Sequence, residues 1–186
     1  MTRPETPADL VRIYRRMREY GLNDTHSGNA SIRVDAGIWI TPHGAWAEEL
    51  VADDLVWVAL ADPKPDRASW DTPLHVATYQ ENPEHGAVLH GHGLYGVAMS
   101  LECGDCFEPV DFEGRLLFPR VAIIDVSVEH PFEDAARLTA RALRDLPLAI
   151  VRGHGIYSAA STLEIAWRNL ASLEWSAHLA WLRQHR

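Results

Sequence analysis

The sequence predicts a single α/β domain built on an antiparallel or mixed sheet. Three observations carry this. Short alternating strands come in hairpin-forming pairs early in the chain. Helical patterns open and close the chain and recur between later strands. No linker or low-complexity stretch divides the 186 residues, a length that suits one domain over 1–186. Early hairpins argue against a doubly wound parallel sheet.

Residues 7–21 read as an amphipathic helix, with Leu10, Ile13, Tyr14 and Met17 on one face and Gly21 ending it. The turn formers from Asn23 to Asn29 follow. Strands are predicted over 30–34, 37–41 and 55–60, and the Pro-rich stretch 61–69 reads as a loop. Pro73 starts a helix over 73–82 that Pro83 stops. A strand over 86–90 and a helix over 92–101 come next, then a loop over 102–114. Residues 116–128 hold one or two strands, 132–146 a helix and 148–152 a buried strand. Ser161-Thr162-Leu163-Glu164 has capping-box spacing and opens a long helix to about residue 183. Its stripe of Ala166, Leu170, Leu173, Ala177 and Trp181 suits core or subunit contact.

Composition removes several function classes. Hydrophobic residues at 47% with 23% charged describe a globular chain. Seventeen Lys+Arg against twenty-six Asp+Glu give a net charge of −9, which disfavours nucleic acid and anionic membranes. Two cysteines cannot build a disulfide framework, and Cys103-Gly104-Asp105-Cys106 has no second pair to complete a zinc site. The opening MTRPETPADL lacks the apolar stretch of a signal peptide, so a soluble cytoplasmic protein is expected. Ten histidines are the odd entry, and their positions matter most.

An echo locates three of them. Val88-Leu89-His90-Gly91-His92-Gly93-Leu94-Tyr95 resembles Ile150-Val151-Arg152-Gly153-His154-Gly155-Ile156-Tyr157. Both are apolar strands running into Gly-His-Gly, which suggests two strand ends delivering imidazoles to one place. On an extended chain, side chains at i and i+2 share a side, so His90 and His92 can bind one ion. Taken alone, such a pair also fits a solvated strand end. His154 in a matching context turns the reading to a metal, because three imidazoles with an open position are a catalytic zinc pattern.

Asp71 precedes a helix, and spacing alone favours a simple N-cap. The functional reading is a carboxylate beside the metal. His75, on the same helix, reads as a core histidine. The turns Ser27-Gly28-Asn29 and Thr41-Pro42-His43-Gly44 can cradle an anion with backbone N–H groups, and Ser69 can add a hydroxyl. His26 and His43 border that pocket, whereas His85, His130, His178 and His185 read as surface or helix positions without a role.

Together these motifs resemble the class II aldolase/adducin family, which includes L-fuculose-phosphate aldolase and L-ribulose-5-phosphate 4-epimerase. The matching pieces are Ser27–Arg33, Ile40–Gly44, Asp54–Val58, Asp71–His75, Val88–His92, Gly153–Gly155 and Thr162–Ala166, in family order. The resemblance implies a three-layer α/β/α sandwich around a mainly antiparallel sheet. It also implies a homotetramer with active sites at subunit contacts. It makes His90, His92 and His154 ligands of Zn2+ or another divalent ion such as Mn2+, Co2+ or Fe2+. Asp71 becomes the catalytic carboxylate, and Gly28, Asn29, Thr41, Gly44 and Ser69 bind substrate. Trp70 and His43 depart from the family's phosphate pattern, where serines are usual, and imply a reshaped anion pocket.

The implied activity is an aldolase-type lyase acting on a small sugar or sugar-phosphate-like hydroxycarbonyl. A sugar-phosphate 4-epimerase, or a dehydratase or decarboxylase, would use the same enolate chemistry. A non-catalytic adducin-like domain is the alternative outside enzymes.

Overall fold

The computed structural model describes residues 5–63 and 66–185. Helix α1 (Pro7–Glu19) is set by a capping box in which the Thr6 hydroxyl and the Asp9 carboxylate each bind the other's backbone N–H. Strands β1 (Asn29–Val34) and β2 (Gly37–Ile40) form the expected hairpin, followed by β3 (Val56–Ala59). Then come α2 (Thr72–Glu81), β4 (Ala87–Gly91) and α3 (Leu94–Glu102). A short β5 (Cys106–Phe107), α4 (Phe112–Leu117), β6 (Val121–Ile124) and α5 (Pro131–Leu143) follow. The chain closes with β7 (Leu148–Val151), β8 (Gly155–Ala160) and α6 (Leu163–Gln184).

One sheet takes all eight strands in the order β3-β2-β1-β4-β8-β7-β6-β5. Every neighbouring pair is antiparallel except β6 with β7. The sheet is the middle of three layers. Its alternating side chains pack on one face against α1, α3, α4 and α6, through residues such as Ile32, Leu89, Leu170 and Leu173. On the other face, Ile38, Val88, Ala149 and Tyr157 pack against α2 and α5, through Leu74, Tyr79 and Leu143. The fold class is therefore the expected α/β/α sandwich.

Several local expectations need correction. Residues 153–160 carry no predicted strand, yet β8 lies there at the centre of the sheet. Its residues are buried on both faces, so no polar alternation marks it, and Gly, Ser and Ala are weak strand formers. The predicted loop 102–114 contains β5 and the first half of α4, while the stretch 116–128, expected to hold one or two strands, holds one, β6, after the end of α4. Helix α3 starts at Leu94 and not at 92, which leaves His92 outside the helix, just after β4. The cap of α6 is Thr162, whose hydroxyl accepts the Ile165 N–H, one residue later than the capping-box spacing indicates. His85 is buried, not on the surface, with Nε2 at 2.9 Å from the Leu143 carbonyl.

Candidate metal centre and active site

The site grows from strand register. Asn29 of β1 stands opposite His90 of β4, and His90 stands opposite Tyr157 of β8. Directly opposed residues share a face, so these three side chains form a row across the middle of the sheet. Their face is the one covered by α2 and α5. Helix α2 lays Asp71, at its N-terminus, against this row.

His90 is fully buried, and its ring stacks on Tyr157 with centroids 4.0 Å apart. Two residues on, His92 brings its Nε2 to 2.9 Å from Nε2 of His90. His154 arrives from the turn between β7 and β8, its ring 5.0 Å from His90 and 4.9 Å from His92. One ligand atom from each of the three lies within 4.8 Å of the others. The two Gly-His-Gly segments thus converge, although one leads into a helix and the other into a strand.

Three features fit this cluster to a divalent ion. The Ile156 carbonyl lies 3.1 Å from Nδ1 of His90 and takes its N–H, which leaves Nε2 as the ligand atom. Burial, above all, pushes the His90 ring down to about 3, and burial likewise lowers His92, so both are neutral. Neutral imidazole is the form that binds metal. Finally, Gly155 leaves room for the rings: a Cβ there would meet His90 Cε1 at 2.5 Å and His92 Cδ2 at 2.8 Å. Only glycine fits between the two rings.

Asp71 occupies the N-cap position of α2 as expected, but its side chain makes no capping hydrogen bond. Its Oδ2 accepts the Asn29 Nδ2–H at 2.9 Å and the Tyr157 hydroxyl at 3.1 Å, and lies 3.6 Å from His90 Nε2. Burial pushes this carboxyl up, but the hydrogen bonds donated by Asn29 and Tyr157 favour its charged form, and the pKa falls below the usual value. A carboxylate is therefore held at the edge of the histidine cluster.

A cavity of about 420 Å³ opens over this centre. Gly28, Asn29, Gly44, Ser69 and Asp71 line it together with His90, His92 and His154. His26 and His43 border it as expected, with His43 stacked on Trp70 at 4.1 Å. Gly28 and Gly44 both take positive φ, at 74° and 65°, which the turn needs and glycine permits. Thr41 is set back: it is fully buried, and its hydroxyl accepts the Ala30 N–H behind the wall.

Sequence reasoning missed two contributors. Tyr157 carries a signal in the echoed motif, but its counterpart Tyr95 stacks on His178 elsewhere. Arg152 is the other. Its guanidinium binds Asp125 and the carbonyls of Ser100, Cys103 and Gly104, so all five donors are used. It anchors the turn bearing His154 and has no donor left for a substrate anion.

Comparison with known proteins agrees with this geometry. The family described as Class II Aldolase and Adducin N-terminal domain matches residues 8–181. Methylthioribulose-1-phosphate dehydratase of Gluconacetobacter diazotrophicus is 34% identical over 180 residues, covering 89% of this chain and 87% of that protein. The Acidiphilium cryptum enzyme of the same name is 34% identical over 182 residues, covering 89% and 85%. Among solved structures, L-fuculose-1-phosphate aldolase from Thermus thermophilus superposes with a TM-score of 0.88 at 27% identity, covering 94% of this chain and 93% of that one. No described helix is long and apolar enough to cross a membrane. A match along nearly the whole chain, with converging histidines at its centre, places this protein in the class II aldolase and adducin N-terminal domain family.

Proposed function

We propose that this protein is a metal-dependent lyase that removes water from a phosphorylated keto-sugar. The substrate proposed is methylthioribulose 1-phosphate, the compound named in the relatives above. The single structural observation behind the reading is Asp71, a partly buried carboxylate 3.6 Å from the nitrogen of a candidate metal ligand. A divalent ion at His90, His92 and His154, zinc in the first instance, would act as a Lewis acid that polarises the substrate carbonyl.

Asp71 takes the proton from the carbon beside that carbonyl. The electron pair of the broken C–H bond forms a C=C bond, and the hydroxyl on the next carbon leaves with a proton as water. The resulting enol returns to a ketone, so the net change is loss of one water. Asn29 and Tyr157 hold Asp71 by its Oδ2, which leaves Oδ1 free to meet the substrate. Among the described residues, Arg152 is the one Lys or Arg side chain lining the cavity, and its donors are spent. The phosphate is therefore assigned to the backbone turns at Gly28 and Gly44 and to the Ser69 hydroxyl.

Aldol cleavage, the activity first expected from the sequence, uses the same proton acceptor and remains the second reading. It is favoured by the likeness to L-fuculose-1-phosphate aldolase. Incubation with methylthioribulose 1-phosphate, followed by NMR, separates the two. A dicarbonyl product with loss of water is expected; an aldehyde and a three-carbon ketone phosphate would overturn the dehydratase reading. Metal analysis tests the centre: absence of a bound divalent ion, or its retention in His154→Ala, would sink it. Assembly into a tetramer with sites at subunit contacts is part of this proposal. Exposed Trp70 and Phe132 beside the cavity support it, and sedimentation measures it.

A further inference from the structure

Helix α2 carries more than Asp71. Asp71, His75 and Tyr79 recur every fourth residue and lie on one face. That face meets Asn29 and Ser31, which alternate onto the same side of β1. His75, Tyr79 and Ser31 are fully buried and Asn29 nearly so, in a place where leucine or valine would pack. Five polar groups lined up under a sheet need a reason.

Their hydrogen bonds form one chain. Ser31 Oγ lies 2.8 Å from the Tyr79 hydroxyl and 2.7 Å from His75 Nδ1. His75 Nε2 lies 2.6 Å from Asn29 Oδ1, and Asn29 Nδ2 lies 2.9 Å from Asp71 Oδ2. A carboxylate only accepts, so the Asn29 amide must turn its NH2 toward Asp71. Its Oδ1 then needs a donor, which fixes the proton of His75 on Nε2. His75 Nδ1 is thereby an acceptor and takes the single Ser31 hydroxyl proton. The Tyr79 hydroxyl, 2.8 Å from Ser31 Oγ and 3.1 Å from the Ser31 carbonyl, shares its proton between these two acceptors and closes the far end of the chain. Every donor points the same way, toward Asp71.

We infer that His75 is a positioning residue for the reaction: locked as the Nε2–H tautomer by Ser31 and Tyr79, it holds the Asn29 amide in the one orientation that aims its N–H at Asp71. The catalytic part of this inference rests on the reading of Asp71 as the proton acceptor. An amide free to rotate by half a turn would present oxygen to the carboxylate and push it off the cavity. Burial drives the His75 ring down to about 4, so the ring is neutral and keeps both an acceptor and a donor at neutral pH. A chain of aligned hydrogen bonds in a low-dielectric core polarises along its length, which strengthens the last bond, the one to Asp71.

The test has two arms. Long-range proton–nitrogen NMR of the full chain reads the His75 tautomer without any turnover. Nε2–H with a bare Nδ1 is expected, and an Nδ1–H tautomer overturns the inference. The second arm is kinetic. His75→Leu removes both donor and acceptor, and displacement of a reacting group by about an ångström is expected to lower kcat about ten- to a hundredfold with little change in KM and full metal content. His75→Gln supplies a donor and an acceptor again and is expected to recover most of the loss. Wild-type kcat in a folded His75→Leu, or equal loss in both variants, overturns the inference. If His75→Leu does not fold, Ser31→Ala replaces it. That variant is expected to show mixed tautomers and a several-fold lower kcat, and an unchanged kcat with mixed tautomers counts against the inference. Asp71→Asn with full activity would remove the proton-acceptor reading alone, because the tautomer is read independently.

Discussion

The Tyr157 hydroxyl donates to Asp71 at 3.1 Å while its ring lies flat on His90, 4.0 Å between centroids. One side chain thus touches both the candidate metal ligand and the candidate base. The two contacts are separable. Tyr157→Phe keeps the ring and removes the donor. The expected result is full metal content and a kcat lowered about tenfold, the loss of one charge-assisted hydrogen bond. Loss of metal in that variant would show that the hydroxyl supports the ligands as well.

Metal removal should soften the fold. His90 and His92 bring two Nε2 atoms to 2.9 Å, so without an ion a single shared proton links only these two rings, whereas an ion would tie both of them to His154 as well. An ion at a thousand times its Kd adds about 4 kcal/mol, so chelation should lower Tm by roughly 10 °C in a chain of this size. The scan is repeated with His154→Ala, in which the chelator should change little.

Gly155→Ala places a methyl group against both His90 and His92, at 2.5 Å and 2.8 Å from their ring carbons. The backbone there is held in β8 between β4 and β7, so the rings must move instead. The expected outcome is a folded chain whose metal affinity falls about tenfold or more, measured by competition with a chromogenic chelator.

Acid should destabilise the chain through His75. Its folded pKa of about 4 lies below the ordinary 6.5 because burial disfavours the charged ring, with Asp71 opposing. A histidine depressed on folding contributes its full stability above pH 6.5. The unfolded ring then binds the proton first as pH falls. Stability is lost between 6.5 and about 4, up to about 3 kcal/mol for a shift of this size. Urea midpoints at pH 7 and pH 4.5 measure this, and His75→Gln should lose less over the same interval.

What was legible in the sequence follows a physical line. Elements with a free face announce themselves: α1 by its stripe of Leu10, Ile13, Tyr14 and Met17, and the β1–β2 hairpin by its spacing. Strand β8 is buried on both faces and leaves no alternation, so it went unpredicted even though it supplies Tyr157. The three histidines were readable because Gly-His-Gly recurs after an apolar strand in both copies. For Asp71, spacing favoured a helix cap, and the structure shows the side chain turned away to Asn29 and Tyr157.

By itself, then, the sequence determined the α/β class, pointed to the family through motifs in order, and singled out three histidines as candidate ligands, because these follow from local pattern and from motifs read along the chain. Tertiary structure alone decided the partners of Asp71. The row Asn29–His90–Tyr157 exists only through register between β1, β4 and β8, strands far apart in sequence. The stripe of Asp71, His75 and Tyr79 gains meaning only when β1 lies against it. Hydrogen-bond direction is a property of groups brought together by folding, and spacing along one chain does not encode it.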